Sequence, residues 1–207
     1  MTRVVALVAA AAVIVGLAVG AFFVLVGRPG DDAFAGCRRG VVAEGAAAIG
    51  GPFALTDGAG RRVTDADVVT GPTLIYFGYA FCPDVCPFDL ARNAATADIL
   101  AEDGVDVGLV FITIDPERDT PEVASDYAAA MHPRMVGLSG SAEDVAAAAA
   151  AYRVYARRAG DDPEFYLMDH STFTYLAAPG HPFLEFFSSS TPPEEVADAV
   201  ACYAAAL

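Results

Sequence analysis

The chain has 207 residues, of which 55% are hydrophobic and 19% charged, and its formal net charge is -15 at pH 7. A chain of this length can bury one sizeable hydrophobic core. Binding to nucleic acid needs clustered lysine and arginine side chains, so the acidic balance argues against a nucleic-acid partner.

The first element is an unbroken apolar run, Val4–Val26. As a helix it would be about 35 Å long, which is enough to cross a hydrocarbon core of about 30 Å. The apolar core of a cleavable signal peptide is only about 7–15 residues long. We therefore predict an uncleaved transmembrane helix that anchors residues 1–27 in the lipid bilayer, a linker in residues 28–48, and one folded domain in residues 49–207.

The arginines around this run give a conflicting indication of its orientation. Arg3 precedes the run, and Arg28, Arg38 and Arg39 follow it. A strict positive-inside count would leave the folded domain in the cytoplasm. The cysteine chemistry described below favours the other side. We therefore predict a single-pass protein of the cell inner (cytoplasmic) membrane with its domain on the periplasmic side.

The first half of the domain alternates strands with a helix. Residues Phe53–Val68 favour a β-hairpin that turns at Asp57 and Gly58. The β-branched and aromatic runs Thr73–Tyr79 and Val107–Asp115 predict buried strands. Between them, apolar residues at helical spacing predict a helix. Those residues include Phe88, Leu90, Ala94, Ala97 and Leu100, within the segment Pro87–Ala101.

The second half contains two helices with clear start signals. Asp119 or Thr120 can cap the first of them, and Ser141 can cap the alanine-rich helix that follows. Residues Met135–Gly140 predict a short strand between these helices. Residues Phe165–Phe187 predict strands around a Pro-Gly turn, and the chain closes with another helix.

This order of elements predicts an α/β domain with a central, mostly parallel sheet and helices on both faces. The pattern fits a thioredoxin-like fold with an N-terminal β-hairpin and a late β-hairpin insertion. In such sheets, ligands bind beyond the carboxyl ends of the strands. The loop Tyr79–Pro87 lies at such an end.

That loop contains Cys82 and Cys86, a Cys-x-x-x-Cys motif between a buried strand and a helix. Side chains four residues apart on a helix lie about 5–6 Å apart on one face, so two thiolates can bind one metal ion. They can also close to a disulfide if the loop adapts. A helix N-terminus should lower the pKa of both thiols, which favours metal binding and redox exchange alike.

Two plainer interpretations of this motif remain open. Asp84 can simply cap the helix, although its carboxylate would also raise the pKa of a nearby thiol by like-charge repulsion. The cysteines can be inert buried thiols or a plain structural disulfide. Their polar and turn-forming neighbours argue against inert thiols, which more often lie within apolar runs.

A third ligand could come from a histidine. His132 lies at a helix end, where the helix dipole explains it, and His181 lies in a turn. His170 lies at a strand end beside Asp169 and Ser171 and is the best placed, although taken alone a structural role explains it better. Two thiolates and an imidazole suit Cu(I) first and zinc second, because a structural zinc would want a fourth ligand.

Three motifs together, FGYAFCPDVCP, ITIDPERDTPE and DHSTFTYL, resemble the Sco/SenC family of membrane-anchored copper chaperones. The resemblance extends from about Ile49 to the C-terminus. It implies a thioredoxin-like domain outside the cytoplasmic membrane, with copper bound by Cys82, Cys86 and His170, as Cu(I) or also as Cu(II). Before Cys82 the sequence departs from the family, since Ala-Phe replaces a threonine or serine followed by a histidine or tyrosine.

The resemblance also implies a role and a partner. The role is assembly of the dinuclear copper A centre of cytochrome c oxidase subunit II, by copper delivery, by reduction of the target's cysteines, or by both. The alternative is a periplasmic thiol-disulfide oxidoreductase with Cys82 and Cys86 as its catalytic redox pair. The three-residue spacing and the His170 motif favour the metal site, whereas the fold and the cysteines at a helix start favour redox exchange.

Cys37 and Cys202 are not needed by the family's core motifs. The cysteine count is even and the inferred compartment is oxidising, so we predict a disulfide that joins the N-terminal segment to the last helix. The alternative is that both are unpaired or form intermolecular bonds.

Overall fold

The computed structural model of the protein describes most of the chain. The described residues are 13–20, 33–39, 49–160, 162 and 165–207.

The chain divides into two compact units, Met1–Gly36 and Cys37–Leu207. In the first unit, residues 13–20 are helical (α1) and exposed. The rest of the predicted transmembrane run, Val4–Val26, lies outside the described residues, as does most of the predicted linker, 28–48. Among the described residues, no helix has both the length and the apolar character that crossing a membrane requires.

The second unit alternates strands and helices in the described part of the chain. The strands are β1 (Ala54–Asp57), β2 (Arg62–Thr64), β3 (Thr73–Gly78), β4 (Gly108–Thr113), β5 (Met135–Ser139), β6 (Ala156–Ala159), β7 (Leu167–His170), β8 (Thr174–Ala178) and β9 (His181–Phe187). The helices are α2 (Asp65–Val68), α3 (Val85–Glu102), α4 (Pro121–Met131), α5 (Ala142–Ala151) and α6 (Pro193–Ala206).

Side-chain caps explain where two of the helices begin. The Thr120 hydroxyl accepts a hydrogen bond from the backbone N–H of Val123 at the start of α4. The Ser141 hydroxyl accepts one from the backbone N–H of Asp144 at the start of α5. Both caps were predicted, and of the two residues considered for α4 it is Thr120 that acts as the cap.

The main sheet has seven strands in the order β2-β1-β5-β4-β3-β8-β9. Only the pairs β3–β4 and β4–β5 are parallel, and the other four pairs are antiparallel. The prediction of a mostly parallel sheet is therefore wrong. The hairpins β1–β2 and β8–β9 lie on either side of the parallel centre. Each hairpin is antiparallel because strands joined by a short turn must run in opposite directions.

A second sheet consists of the two-stranded hairpin β6–β7. Its register pairs Ala156 with His170 and Ala159 with Leu167. Strand β6 was not predicted from the sequence, because its residues Ala-Arg-Arg-Ala carry neither the apolar nor the alternating pattern of a buried strand. This hairpin carries His170 at the end of β7.

The core lies on both sides of the central strands. All six residues of β3 are buried, and Phe111 in β4 is fully enclosed. Helix α3 buries the face that contains Cys86 and Leu90. Phe88 fits the helical spacing of apolar residues, but it lies outside that buried face and is 72% exposed.

A disulfide joins Cys37 to Cys202 of α6, with a Cα–Cα distance of 5.6 Å. This confirms the predicted pairing. A hydrogen bond supports the attachment, since the backbone N–H of Arg39 donates to the buried carboxylate of Glu185 at 3.3 Å. The start of the second unit is therefore fastened to the last helix and to β9.

Candidate metal centre

Three separate elements bring Cys82, Cys86 and His170 together. Cys82 lies in the loop after β3, Cys86 in the first turn of α3, and His170 at the end of β7. Their ligand atoms all lie within 4.8 Å of one another. The cluster lies at the carboxyl end of β3, where the sequence placed the ligand-binding loop.

The cysteine loop is closed by the sulfur of Cys82. The backbone N–H of Cys86 donates to this sulfur at 3.4 Å, so the sulfur satisfies one of the free donors at the start of α3. Asp84 occupies the N-cap position, but its side chain makes no capping hydrogen bond to the described helix. Asp84 therefore stands at the predicted N-cap position of α3 but does not cap the helix through its side chain.

The two thiols differ in their environments. Cys82 is half-buried and Cys86 is completely buried, and both are free in the part of the chain that the structure describes. Burial raises the pKa of Cys86 well above its usual range, and the neighbouring Cys82 raises it further. The prediction that the helix start lowers the thiol pKa is therefore wrong for Cys86, because desolvation outweighs the helix terminus.

The imidazole of His170 is held in one tautomer. Its Nδ1 atom lies 2.8 Å from the backbone carbonyl of Ser171, which can only accept, so Nδ1 carries the proton. Its Nε2 atom lies 3.5 Å from the sulfur of Cys86. Burial lowers the pKa of His170, which keeps the ring neutral. A neutral ring with Nδ1 bonded to a carbonyl leaves Nε2 unprotonated, so Nε2 is able to bind a metal ion.

Aromatic side chains and backbone bonds fix the orientation of this ring. Tyr76 and Tyr79 meet it edge-on, with centroid distances of 6.4 and 5.8 Å. Ser171 bonds Tyr155 twice, through its backbone N–H and its hydroxyl. His170 is therefore packed against two aromatic rings, and the residue that follows it, Ser171, is fixed by its two hydrogen bonds to Tyr155.

Gly78 is needed for the close approach of Cys86 to the sheet. A Cβ atom at this position would lie 2.8 Å from the Tyr76 ring and 3.0 Å from the Cys86 sulfur. Gly78 was not predicted from the sequence as part of the site. A glycine inside a run that otherwise reads as a buried strand is a signal for such an approach.

Asp119 is another residue that sequence reasoning missed as part of the site. Its carboxylate accepts hydrogen bonds from the backbone N–H of Ala80 at 2.9 Å and from the hydroxyl of Thr113 at 2.7 Å. Asp119 is buried, which raises its pKa. It was considered as a helix cap, whereas its side chain holds the chain just before Cys82.

The other two histidines lie apart from this cluster. His132 is the C-cap of α4; its Nδ1 accepts from the backbone N–H of Arg134 and its Nε2 faces Asp98 at 3.4 Å. His181 is exposed and begins β9, directly after the turn. Both positions agree with the prediction from sequence, one at a helix end and the other beside a turn.

The donor set fits one soft metal ion. Bonds of about 2.3 Å to sulfur and about 2.0 Å to nitrogen would hold three ligand atoms about 3.7–4.0 Å apart in a trigonal site. The observed separations, all within 4.8 Å, require only small side-chain movements. Thiolate and imidazole ligands suit Cu(I) and zinc, not magnesium or calcium.

The fold and the site together define an α/β domain with a Cys-Cys-His cluster that could hold a metal ion, between the cysteine loop and a small hairpin. The family described as SCO1/SenC matches residues 41–205. The chain is 49% identical over 204 residues to Protein SenC of Rhodobacter capsulatus, covering 98% of this chain and 90% of that protein. The chain belongs to the SCO1/SenC family, as its motifs predicted.

Similarity extends to longer mitochondrial proteins. The chain is 41% identical over 157 residues to Protein SCO1 homolog 1 of Arabidopsis thaliana, which is 75% of this chain but only 47% of that protein. It therefore spans about half the length of this relative.

Solved structures show the same fold. Arabidopsis thaliana ScoI with copper bound has a TM-score of 0.71 and 40% identity, over 75% of this chain and 98% of that chain. Bradyrhizobium japonicum ScoI with copper bound has a TM-score of 0.64 and 40% identity, over 75% of this chain and 99% of that chain. The predicted thioredoxin-like α/β fold is confirmed, and these neighbours are copper-bound Sco proteins.

Proposed function

We propose that this chain is a copper metallochaperone that binds copper as its cargo through Cys82, Cys86 and His170. One observation carries the proposal. The three ligand atoms lie within 4.8 Å of one another in a chain whose structural neighbours include two ScoI proteins, each 40% identical to it, that were solved with copper bound. Two sulfurs and one nitrogen give Cu(I) a preferred ligand type.

The arrangement also suits release of the cargo. Three ligands leave a coordination position open to an incoming thiolate of a target. Cys82 is half-buried whereas Cys86 is enclosed, so Cys82 is the side from which a target can approach. Copper would then pass by stepwise ligand exchange, with Cys86 and His170 retaining the ion until target ligands replace them.

The proposed target is the dinuclear copper A centre of cytochrome c oxidase subunit II. The test mixes the Cu(I)-loaded domain with the reduced, metal-free soluble domain of subunit II. Samples taken over time are oxidised by one electron with ferricyanide, because an all-Cu(I) centre is colourless, and the visible absorption of copper A is then recorded. We expect the band to form in the presence of a Cu(I) chelator that prevents loading from free copper. If the band forms no faster than with the chelated copper alone, delivery is excluded.

The second proposed function is reduction of the target's cysteines. It is favoured by the free state of both thiols and their graded exposure. The Cys82 thiolate would attack the target disulfide, forming a mixed disulfide and releasing one target thiolate. The Cys86 thiolate would then attack the Cys82 sulfur, releasing the second target thiolate and leaving a Cys82–Cys86 disulfide. Two electrons pass to the target, and an external dithiol must restore the pair.

The high pKa of Cys86 argues against reduction as the main function. A resolving thiol must ionise, and burial holds Cys86 protonated at neutral pH. A metal cation stabilises the thiolate and removes this obstacle. A Cys86→Ser variant that traps a mixed disulfide with subunit II would support reduction. Failure to trap any species, with one copper per wild-type chain, would support the chaperone.

We also propose that residues 1–27 anchor the chain in the cell inner membrane, that residues 28–48 form a linker, and that residues 49–207 form the copper domain on the periplasmic side. The apolar run Val4–Val26 supports the anchor. The Cys37–Cys202 disulfide supports an oxidising compartment. The test is fractionation, with protease added to spheroplasts. Recovery in the soluble fraction, or protection of the domain from protease, would contradict this placement.

A further inference from the structure

The proposed copper site requires two separate parts of the fold to meet. The cysteines follow β3 of the main sheet, whereas His170 ends the hairpin β6–β7, which forms its own sheet. Most residues of this hairpin are exposed, and isolated two-stranded hairpins are marginally stable in water. The position of His170 therefore depends on contacts between the hairpin and the rest of the domain.

Two adjacent residues of the loop between β4 and α4 contact both parts. Asp119 accepts a hydrogen bond from the backbone N–H of Ala80, two residues before Cys82. Arg118 donates through Nη1 to the backbone carbonyl of Tyr166 at 2.9 Å, and Tyr166 directly precedes β7. This loop thus holds the cysteine side through Asp119 and the histidine side through Arg118.

The contact between Arg118 and Tyr166 has several components. The guanidinium carbon of Arg118 lies 3.6 Å from the centre of the Tyr166 ring, and that of Arg158 lies 3.9 Å from it. Two guanidinium groups this close cannot share one face, so the ring is sandwiched between them. Asp115 accepts hydrogen bonds from Arg118 Nε at 2.6 Å and from the Tyr166 hydroxyl at 2.7 Å. Charge-assisted bonds and cation–π contacts reinforce each other here.

Arg118 also reaches the cysteine side. Its guanidinium carbon lies 5.1 Å from the centre of the Phe81 ring, and Phe81 directly precedes Cys82. It lies 5.8 Å from the centre of the Tyr79 ring, which packs edge-on against His170. Arg118 is therefore in contact with aromatic rings on both sides of the metal centre.

We propose that Arg118 is a positioning residue that clamps the β6–β7 hairpin to the β4–α4 loop and so sets the distance between His170 Nε2 and the two cysteine sulfurs. The inference rests on the proposed three-ligand copper site. Arg118 acts through His170, and not as a ligand. Its loss releases the hairpin and withdraws His170, whereas the cysteine pair, which Asp119 holds, stays in place.

The first test uses the metal-free protein and does not depend on copper. Amide hydrogen exchange is measured for Arg118→Ala and for the control Arg134→Ala, which removes a surface ion pair with Asp106. We expect exchange in the β6–β7 hairpin to rise at least about tenfold in Arg118→Ala, with β3 and β4 unchanged, because local opening is controlled by local contacts. Unchanged exchange in the hairpin would overturn the clamp.

The second test is a double-mutant cycle for Cu(I) affinity. Loss of a residue that orients a metal ligand typically weakens binding by about 10–100-fold, and we expect this range for Arg118→Ala. In the His170→Ala background the same substitution should change affinity less than about twofold, because the group through which it acts is gone. An equal effect in both backgrounds would overturn a role through His170.

A second pair of variants separates clamping from folding and from charge. Tyr166→Leu removes the ring but leaves the Asp115–Arg118 pair and the hydrogen bond from Arg118 to the backbone carbonyl of residue 166. It should therefore raise hairpin exchange in the same direction as Arg118→Ala but to a smaller extent. Arg118→Lys keeps the charge but loses the planar fork, so it should restore hairpin protection only in part.

If His170→Ala itself leaves copper affinity unchanged, the three-ligand site fails, and the metal-free exchange experiment alone decides the clamp.

Discussion

The Nε2 atom of His170 lies 3.5 Å from the sulfur of Cys86, although the two residues are 84 positions apart in the chain. His170 lies at the end of β7 and is half-buried, whereas Cys86 lies in α3 and is fully buried. The proposed copper site therefore depends on tertiary contacts as much as on the Cys-x-x-x-Cys motif.

Replacing His170 by alanine should weaken Cu(I) binding while leaving the fold intact. Loss of a residue next to a ligand already costs about 10–100-fold, so loss of a ligand should cost at least about 100-fold. The matched control is His132→Ala, which removes the acceptor of the Arg134 N–H and should cost about 1 kcal/mol of stability without changing copper affinity. Competition with a chromophoric Cu(I) chelator and urea unfolding measure the two quantities.

Copper binding should release the proton of Cys86. Its raised pKa keeps the thiol protonated near neutral pH, and coordination requires the thiolate. The lowered pKa of His170 leaves that ring without a proton to release above about pH 6.5. From Cys86 alone, apparent affinity should rise about tenfold per pH unit between pH 6.5 and 8.5. Calorimetry in buffers of different ionisation enthalpy counts the protons, and a pH-independent affinity would refute Cys86 as a ligand.

Gly78→Ala should damage both the fold and the site. The added Cβ would meet the Tyr76 ring at 2.8 Å and the Cys86 sulfur at 3.0 Å. Overpacking of this kind costs about 1–3 kcal/mol. Gly71→Ala is the control, because a Cβ there has nothing within 4 Å, and its effect should stay within about 0.5 kcal/mol. Equal stability and copper affinity of the two variants would show that the site tolerates the clash.

Removing the Cys37–Cys202 disulfide should destabilise the second unit without affecting copper. The bond closes a loop of 165 residues, so the double variant Cys37→Ser/Cys202→Ser should lose about 2–5 kcal/mol of unfolding free energy. Guanidinium unfolding of the metal-free proteins measures the loss. Thiol labelling of the oxidised, metal-free wild type provides the independent check, and labelling of either Cys37 or Cys202 would contradict the pairing.

Much of the fold could be predicted because strong local signals coincide with it. The apolar runs around Tyr76 and Phe111 became the central parallel strands, and Thr120 and Ser141 cap the predicted helices. The antiparallel majority of the sheet was missed because strand direction depends on which neighbours pair. Strand β6 was missed because an exposed strand of a two-stranded hairpin needs no apolar pattern.

The site was only partly accessible from sequence. His170 was linked to the cysteines by the DHSTFTYL motif and its family resemblance, since no spacing connects residues so far apart. The pKa of Cys86 was misjudged because helix position is visible in sequence whereas the depth of burial is not. Arg118 and Asp119 belong to the ITIDPERDTPE motif, but their contacts to Tyr166 and Ala80 appear only in three dimensions.

In the proposed site, copper is bound by two sulfurs and one imidazole nitrogen. The most direct measurement is X-ray absorption at the copper edge of the reduced domain loaded with one Cu(I), compared with the His170→Ala variant. We predict two sulfur ligands at about 2.3 Å with one nitrogen and imidazole outer-shell scattering in the wild type, and loss of the imidazole signal in the variant. A wild-type spectrum with sulfur ligands alone, or identical spectra for both proteins, would contradict the account.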